Sequence, residues 1–215
     1  MRPSVRWRHS MARRSTSSYS RGQGLVEFAL VFPIFIMLLF ALIEFAFMFA
    51  ATLSVNQATR DASLIAAEAG NDSLADCTIL QRIENDISAP EATTQIQSVT
   101  IFQADRAGNP VSGVADSFTH GGALVCAFAT GTVNLPYTQT ASTYPYTSRC
   151  NAIRGCLISG SNPAAYASLD TIGVKIVYRY PWHTQLRSLL PFLPGAGVGY
   201  VDFTWSNVMR MEPIL

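Results

Sequence analysis

The stretch Arg21-Gly22-Gln23-Gly24-Leu25-Val26-Glu27-Phe28 joins a basic segment to a long apolar run and places a carboxylate just inside the run. An ionised glutamate in hydrocarbon loses its hydration, so a plain anchor has no use for one at this position. Outward from Glu27, the chain is apolar from Leu25 to Leu53 apart from Glu27, Glu44, Thr52 and Pro33. A spanning helix needs roughly 20 such residues, and this run supplies more. A cleavable secretory signal fits less well. Its apolar region is roughly 7–15 residues and ends in a small-x-small site, whereas here Phe49 spoils the candidate ending at Ala51.

The chain has 215 residues and a net charge of +1, unevenly spread. Arg2, Arg6, Arg8, Arg13, Arg14 and Arg21 all precede Glu27, the first acidic residue. Arginine beside a span stays inside, so residues 1–22 read as a cytoplasmic basic leader, with Met11 as an alternative start. The remainder is mildly acidic, which argues against nucleic acid as a partner. The expected organisation is a leader at 1–22, a transmembrane helix at 23–53, its extension outside the membrane at 54–70, and an extracytoplasmic α+β domain at 71–215. Val55, Ala58, Ala62, Ile65, Ala66 and Ala69 recur at helical spacing beyond the span, and Gly70-Asn71-Asp72 supplies the stop. The two segments make one helix of about 45 residues, on the order of 65 Å at ~1.5 Å per residue.

A second helix is expected over 73–88, with Leu80, Ile83 and Ile87 on one face. The period then shortens to that of strands. Ile96 to Phe102, Leu124 to Thr130, Thr132 to Leu135, Ile172 to Tyr180 and Tyr200 to Arg210 are the candidates, forming a small antiparallel sheet. Residues 136–165 read as a long loop stapled by cysteines. The excursion from Pro181 to Gly199 reads as a helix packed on the sheet, or else an amphipathic element touching membrane or neighbour. Cys77, Cys126, Cys150 and Cys156 all fall on the outer side, where two disulfides have three possible connectivities. The short 150–156 loop suits a local bridge, which leaves Cys77–Cys126 by elimination. A metal site is not expected, because His9, His120 and His183 are scattered and the cysteine spacing is not that of a zinc knuckle.

No phosphate-cradling glycine loop, paired histidines or nucleophile elbow is present, so neither an enzyme nor a cofactor or small-molecule substrate is expected. The junction itself is more informative. Arg21, Gly22, Gln23, Leu25, Val26, Glu27, Phe28, Ala29, Leu30 and Pro33, then Glu44 and Asn56-Gln57-Ala58-Thr59-Arg60-Asp61, resemble the TadE-like pseudopilins of Tad (Flp, tight-adherence) pilus systems, relatives of type IV pilins. The resemblance covers about residues 20–67; Ala62-Ser63-Leu64 replaces the family's usual Gly-Ala-Arg continuation.

The resemblance implies a single-pass protein of the inner (plasma) membrane, with its N-terminus in the cytoplasm and its C-terminal domain outside. Its partners would be the membrane, other pilins and pseudopilins, the Tad assembly machinery and a prepilin peptidase. It implies processing between Gly22 and Gln23, subunit assembly through Glu27 and Phe28, and a span marked by Pro33, a candidate kink, and by Glu44 at the outer interface. The competing expectation is an anchored extracytoplasmic binding domain outside any pilus, using Tyr137, Tyr144, Tyr146 and Tyr166 for contact.

Overall fold

The computed structural model describes residues 20–87, 92–151, 155–156, 169–184, 195 and 197–211. By internal contacts the chain divides into two units, the second beginning at Leu42. One α-helix, α1 (Ser20–Ala69), supplies all of the first unit's described residues and the start of the second, and stays helical through Pro33. In the first unit Leu25 (71% exposed), Phe28, Leu30, Val31, Ile34 and Phe35 all lie open. A helix apolar around its circumference and uncovered is suited to lipid or to other helices, not to water. Among the described residues this is one helix long and apolar enough to cross a membrane.

The second unit closes the end of α1 into a domain. There α1 buries Ala51, Val55, Ala58, Ala62 and Ala66, a stripe of small side chains that permits close approach. Gly70 ends the helix at φ +56°, with its N–H donating to Ala66 O at 3.1 Å. Helix α2 (Ala75–Asp86) follows and buries Ile79, Leu80 and Ile83. The sheet comprises β1 (Ile96–Ala104), β2 (Pro110–Phe128), β3 (Gly131–Ser142), β6 (Thr171–Pro181) and β7 (Tyr200–Arg210), all antiparallel in the order β3-β2-β1-β6-β7. A separate two-residue ladder pairs β4 (Cys150–Asn151) with β5 (Gly155–Cys156). The architecture is α+β, as expected.

Alternation explains the sheet. On β6, Ile172, Val174, Ile176, Tyr178 and Tyr180 are buried in the core shared with the helices. The row Gln139, Phe118, Val99, Ile176 and Trp205 crosses all five strands in register. Elsewhere on β6, Gly173 lies between Phe102 and Val208, and a Cβ on it would collide with the Phe102 ring. Cys77 on α2 and Cys126 on β2 form a disulfide, closing a separation of 49 residues; such a loop stabilises by about 2–4 kcal/mol. Cys150 is also disulfide-bonded, and the backbone of Cys156 lies directly across from it. The Cys156 side chain lies outside the described residues.

The hairpin differs from expectation. β2 and β3 are long strands, so residues 136–142 belong to the sheet and not to a loop. β3 is an edge strand, where Pro136 is tolerated because its missing N–H removes no ladder bond from the middle of the sheet, and where threonines face solvent. In the sequence alone both features read as loop. Gly121 and Gly122 fall in the register shift between His120 and Leu124; Gly122 sits against the Tyr137 backbone with no room for a Cβ. All of the 157–168 stretch and most of the 181–199 excursion lie outside the described residues.

The chain after β3 is held by a buried polar network. Arg149, fully buried, places Nη2 2.6 Å from Asp76 Oδ1 of α2 and 3.1 Å from Asp116 Oδ2 of β2. Its Nε and Nη2 donate to Tyr144 O, and the Tyr144 N–H donates to Asp116 Oδ1 at 2.9 Å. Asp170 collects the Tyr144 hydroxyl and the Cys150 N–H, each at 3.0 Å, together with Gln103 Nε2. Burial lifts the Asp76 carboxyl above its ordinary range, and Arg149 offsets only part of that. Removing the cation strands the buried Asp116 carboxylate and the half-buried Asp76 carboxylate. Arg149→Ala is predicted to cost about 3–5 kcal/mol of domain stability, read as a lower denaturant midpoint of the purified chain.

Candidate functional site

Two carboxylates lie in the apolar part of α1, and the fold treats them oppositely. Glu27 is exposed and accepts a hydrogen bond from Gln23 Nε2 at 3.1 Å, one turn earlier on the same helix. Among the described residues no cation pairs with it. Phe28 stacks one turn along on Phe32, ring centroids 5.1 Å apart, and both remain exposed. The first residues of this face are therefore apolar and aromatic around a single charge.

Gly22 and Gln23 both lie within the first turns of α1. A Cβ on Gly22 would meet nothing within 4 Å, so neither packing nor a positive φ requires glycine there. In a helix, glycine costs about 1 kcal/mol relative to alanine. The fold gains nothing from Gly22.

Glu44 is 2% exposed. Its Oε1 accepts from the Tyr180 hydroxyl at 2.7 Å and from the His183 N–H at 3.1 Å; its Oε2 accepts from the Thr184 N–H at 2.7 Å. These donors sit at the end of β6 and in the chain just beyond it. The His183 ring adds contacts to Phe47 (5.1 Å) and edge-on to Tyr180 (5.3 Å). A buried carboxylate is tolerable when charge-assisted donors replace its water, and here three do. The sequence expectation placed Glu44 at a membrane interface. The structure adds that it clamps the helix to the sheet.

Sequence reasoning missed these partners because they lie 136 or more residues away, and two of them are backbone groups that no side-chain pattern reports. It also missed His120, whose Nε2 lies 3.6 Å from Glu84 Oε1 of α2 and whose ring meets Tyr137 edge-on at 5.3 Å. The expected tyrosine contact surface is depleted. Tyr137 and Tyr144 are buried, Tyr146 is half-buried, and Tyr166 lies outside the described residues. Burial raises the hydroxyl pKa of both Tyr137 and Tyr144, keeping them neutral. No group of three or more metal-ligating side chains is found among the described residues.

The clamp predicts a graded loss. Tyr180→Phe removes one donor to a carboxylate, at about 1.5–3 kcal/mol, whereas Glu44→Ala removes the shared acceptor of all three donors and is predicted to cost more. Chemical unfolding of the two variants in one detergent checks the order, and faster amide exchange at His183 and Thr184 in Glu44→Ala checks the cause.

The family model for TadE-like protein matches residues 22–64. The match opens at Gly22, includes both carboxylates and ends in the alanine stripe of α1; α2 and the sheet lie beyond it. No curated protein and no solved structure matches the chain. Over residues 22–64, a fifth of its length, the chain is similar to TadE-like proteins.

Proposed function

We propose that the chain is a TadE-like minor pseudopilin, a single-pass membrane protein that takes part in assembling a Tad/Flp adhesive pilus by packing its N-terminal helix against other pilin-like helices. Its role is structural, not catalytic. The observation that carries this reading is the uncovered apolar face of α1 from Leu25 to Phe40, interrupted by Glu27 alone and matched by the TadE-like family model. The arginine-rich leader supports a cytoplasmic N-terminus, which places the sheet domain outside the cell membrane.

Cleavage between Gly22 and Gln23 by a prepilin peptidase hydrolyses that peptide bond and leaves an α-amine on Gln23. The amine lies four residues from Glu27, about 6 Å along the helix at ~1.5 Å per residue. In the assembled state the Glu27 carboxylate pairs with the amine of a neighbouring subunit, which offsets the cost of enclosing it among apolar helices and fixes their stagger. Gly22 serves this step and not the fold. Lacking a side chain, it lets the backbone enter a narrow protease site.

Two measurements separate the parts of this reading. Intact mass of the chain from cells with an active prepilin peptidase is predicted to begin at Gln23, and Gly22→Leu to retain the leader while folding normally. An intact leader on the wild-type chain refutes processing. Cells lacking the chain are predicted to lose surface pili and adherence and to regain both on complementation; undiminished piliation refutes the pilus role.

A further inference from the structure

The apolar run extends to Leu53, yet its last third is already part of the domain. Glu44 accepts the N–H groups of His183 and Thr184, and the His183 side chain is exposed beside it. Residues 182–184 form no strand or helix. Irregular backbone open to lipid does not occur within hydrocarbon, because its polar groups find no water there. The hydrocarbon must therefore end on the N-terminal side of Glu44. An independent count agrees: Leu25 to Ile43 spans about 28 Å at ~1.5 Å per residue, against a hydrocarbon core of about 30 Å.

Past that level the helix has two faces. Glu44, Ala51 and Val55 face the domain, while Phe45 (67% exposed), Phe49 and Leu53 lie open on the other side. The open face continues the exposed apolar surface of Leu42 and Ile43 without a break. Headgroups add about 5–8 Å beyond the hydrocarbon. Phe45 falls inside that layer, and Phe49, about 9 Å beyond Ile43, at its outer edge. On the domain side the exposed His183 lies at the level of Glu44 and the half-buried Trp182 precedes it, tryptophan being a residue that favours a headgroup zone.

We infer that the domain has no linker separating it from the bilayer: hydrocarbon ends at Ile43, and the domain rests directly on the phospholipid surface with Phe45, Trp182 and His183 among the headgroups. This rests on the membrane-anchored reading but not on the pilus role. The partner is a lipid surface, and the Glu44 clamp holds the chain after β6 at that level.

The test is site-directed spin labelling of the full chain in phosphatidylcholine/phosphatidylglycerol vesicles. Single cysteines replace Leu38, Leu42, Phe45, Phe49, Leu53 and His183 in turn; the native cysteines Cys77, Cys126 and Cys150 are already in disulfides. Accessibility to oxygen and to a water-soluble nickel chelate reads depth. Oxygen is expected to dominate at positions 38 and 42, the two to cross over at 45 and 183, and nickel accessibility to rise at least several-fold by 49 and 53. Oxygen-dominated signals through Leu53 overturn the inference by extending the span. Low accessibility to both probes at 45–53 overturns it in favour of a second protein helix on that face, and nickel-dominated signals at 45 and 183 overturn it by lifting the domain off the surface. Failure of the wild-type chain to float with the vesicles overturns the anchored reading as well.

Discussion

A carboxylate survives burial only where donors stand in for the water it has lost, and Glu44 meets that condition through groups supplied by the far end of the chain. The rest of the domain depends on this constraint. Delivering the Tyr180 hydroxyl and the His183 and Thr184 N–H groups to Glu44 ties the end of β6 to α1, while β1 and β7 pair with β6 on either side. The alanine stripe of α1 then sets how closely the helix approaches. One charged side chain in an apolar run thus specifies a helix-to-sheet alignment that small apolar residues alone leave free to slide.

Environment, not residue type, assigns the two glutamates of α1 their roles. Glu44 has its acceptor capacity taken up inside its own chain and is committed to folding. Glu27 has, among the described residues, the Gln23 amide as its hydrogen-bond donor, and its exposure keeps it open to a partner. Likewise, Arg149 spends its charge on Asp76, Asp116 and a carbonyl, organising the chain that follows β3, while Arg179 pairs with Asp202 in solvent, where such a bridge contributes little.

Periodicity made much of this fold legible. The unbroken apolar run and the alanine spacing gave α1, Gly70 gave its end, and clean alternation gave β6 and β7. The Cys77–Cys126 pairing followed from the shortness of the other loop. The long β2–β3 hairpin was not legible. An edge strand with polar residues on its open face carries no burial signal, and Pro136 imitates a breaker there. The partners of Glu44 and Arg149 were hidden for another reason: each pairs across long sequence separations, partly with backbone groups. The resemblance around Gly22 and Glu27 was visible because the helix is local, so its pattern is written in consecutive residues.

The central proposal is that Glu27, exposed and without a paired cation among the described residues, acts between subunits and not within the fold. The most direct measurement is the number of surface pili in cells carrying Glu27→Gln in place of the wild-type chain, with the domain's protease resistance recorded on the same samples. The account predicts wild-type protease resistance with pili lost or sharply reduced. Undiminished pili, or a domain that has lost its protease resistance, would contradict it.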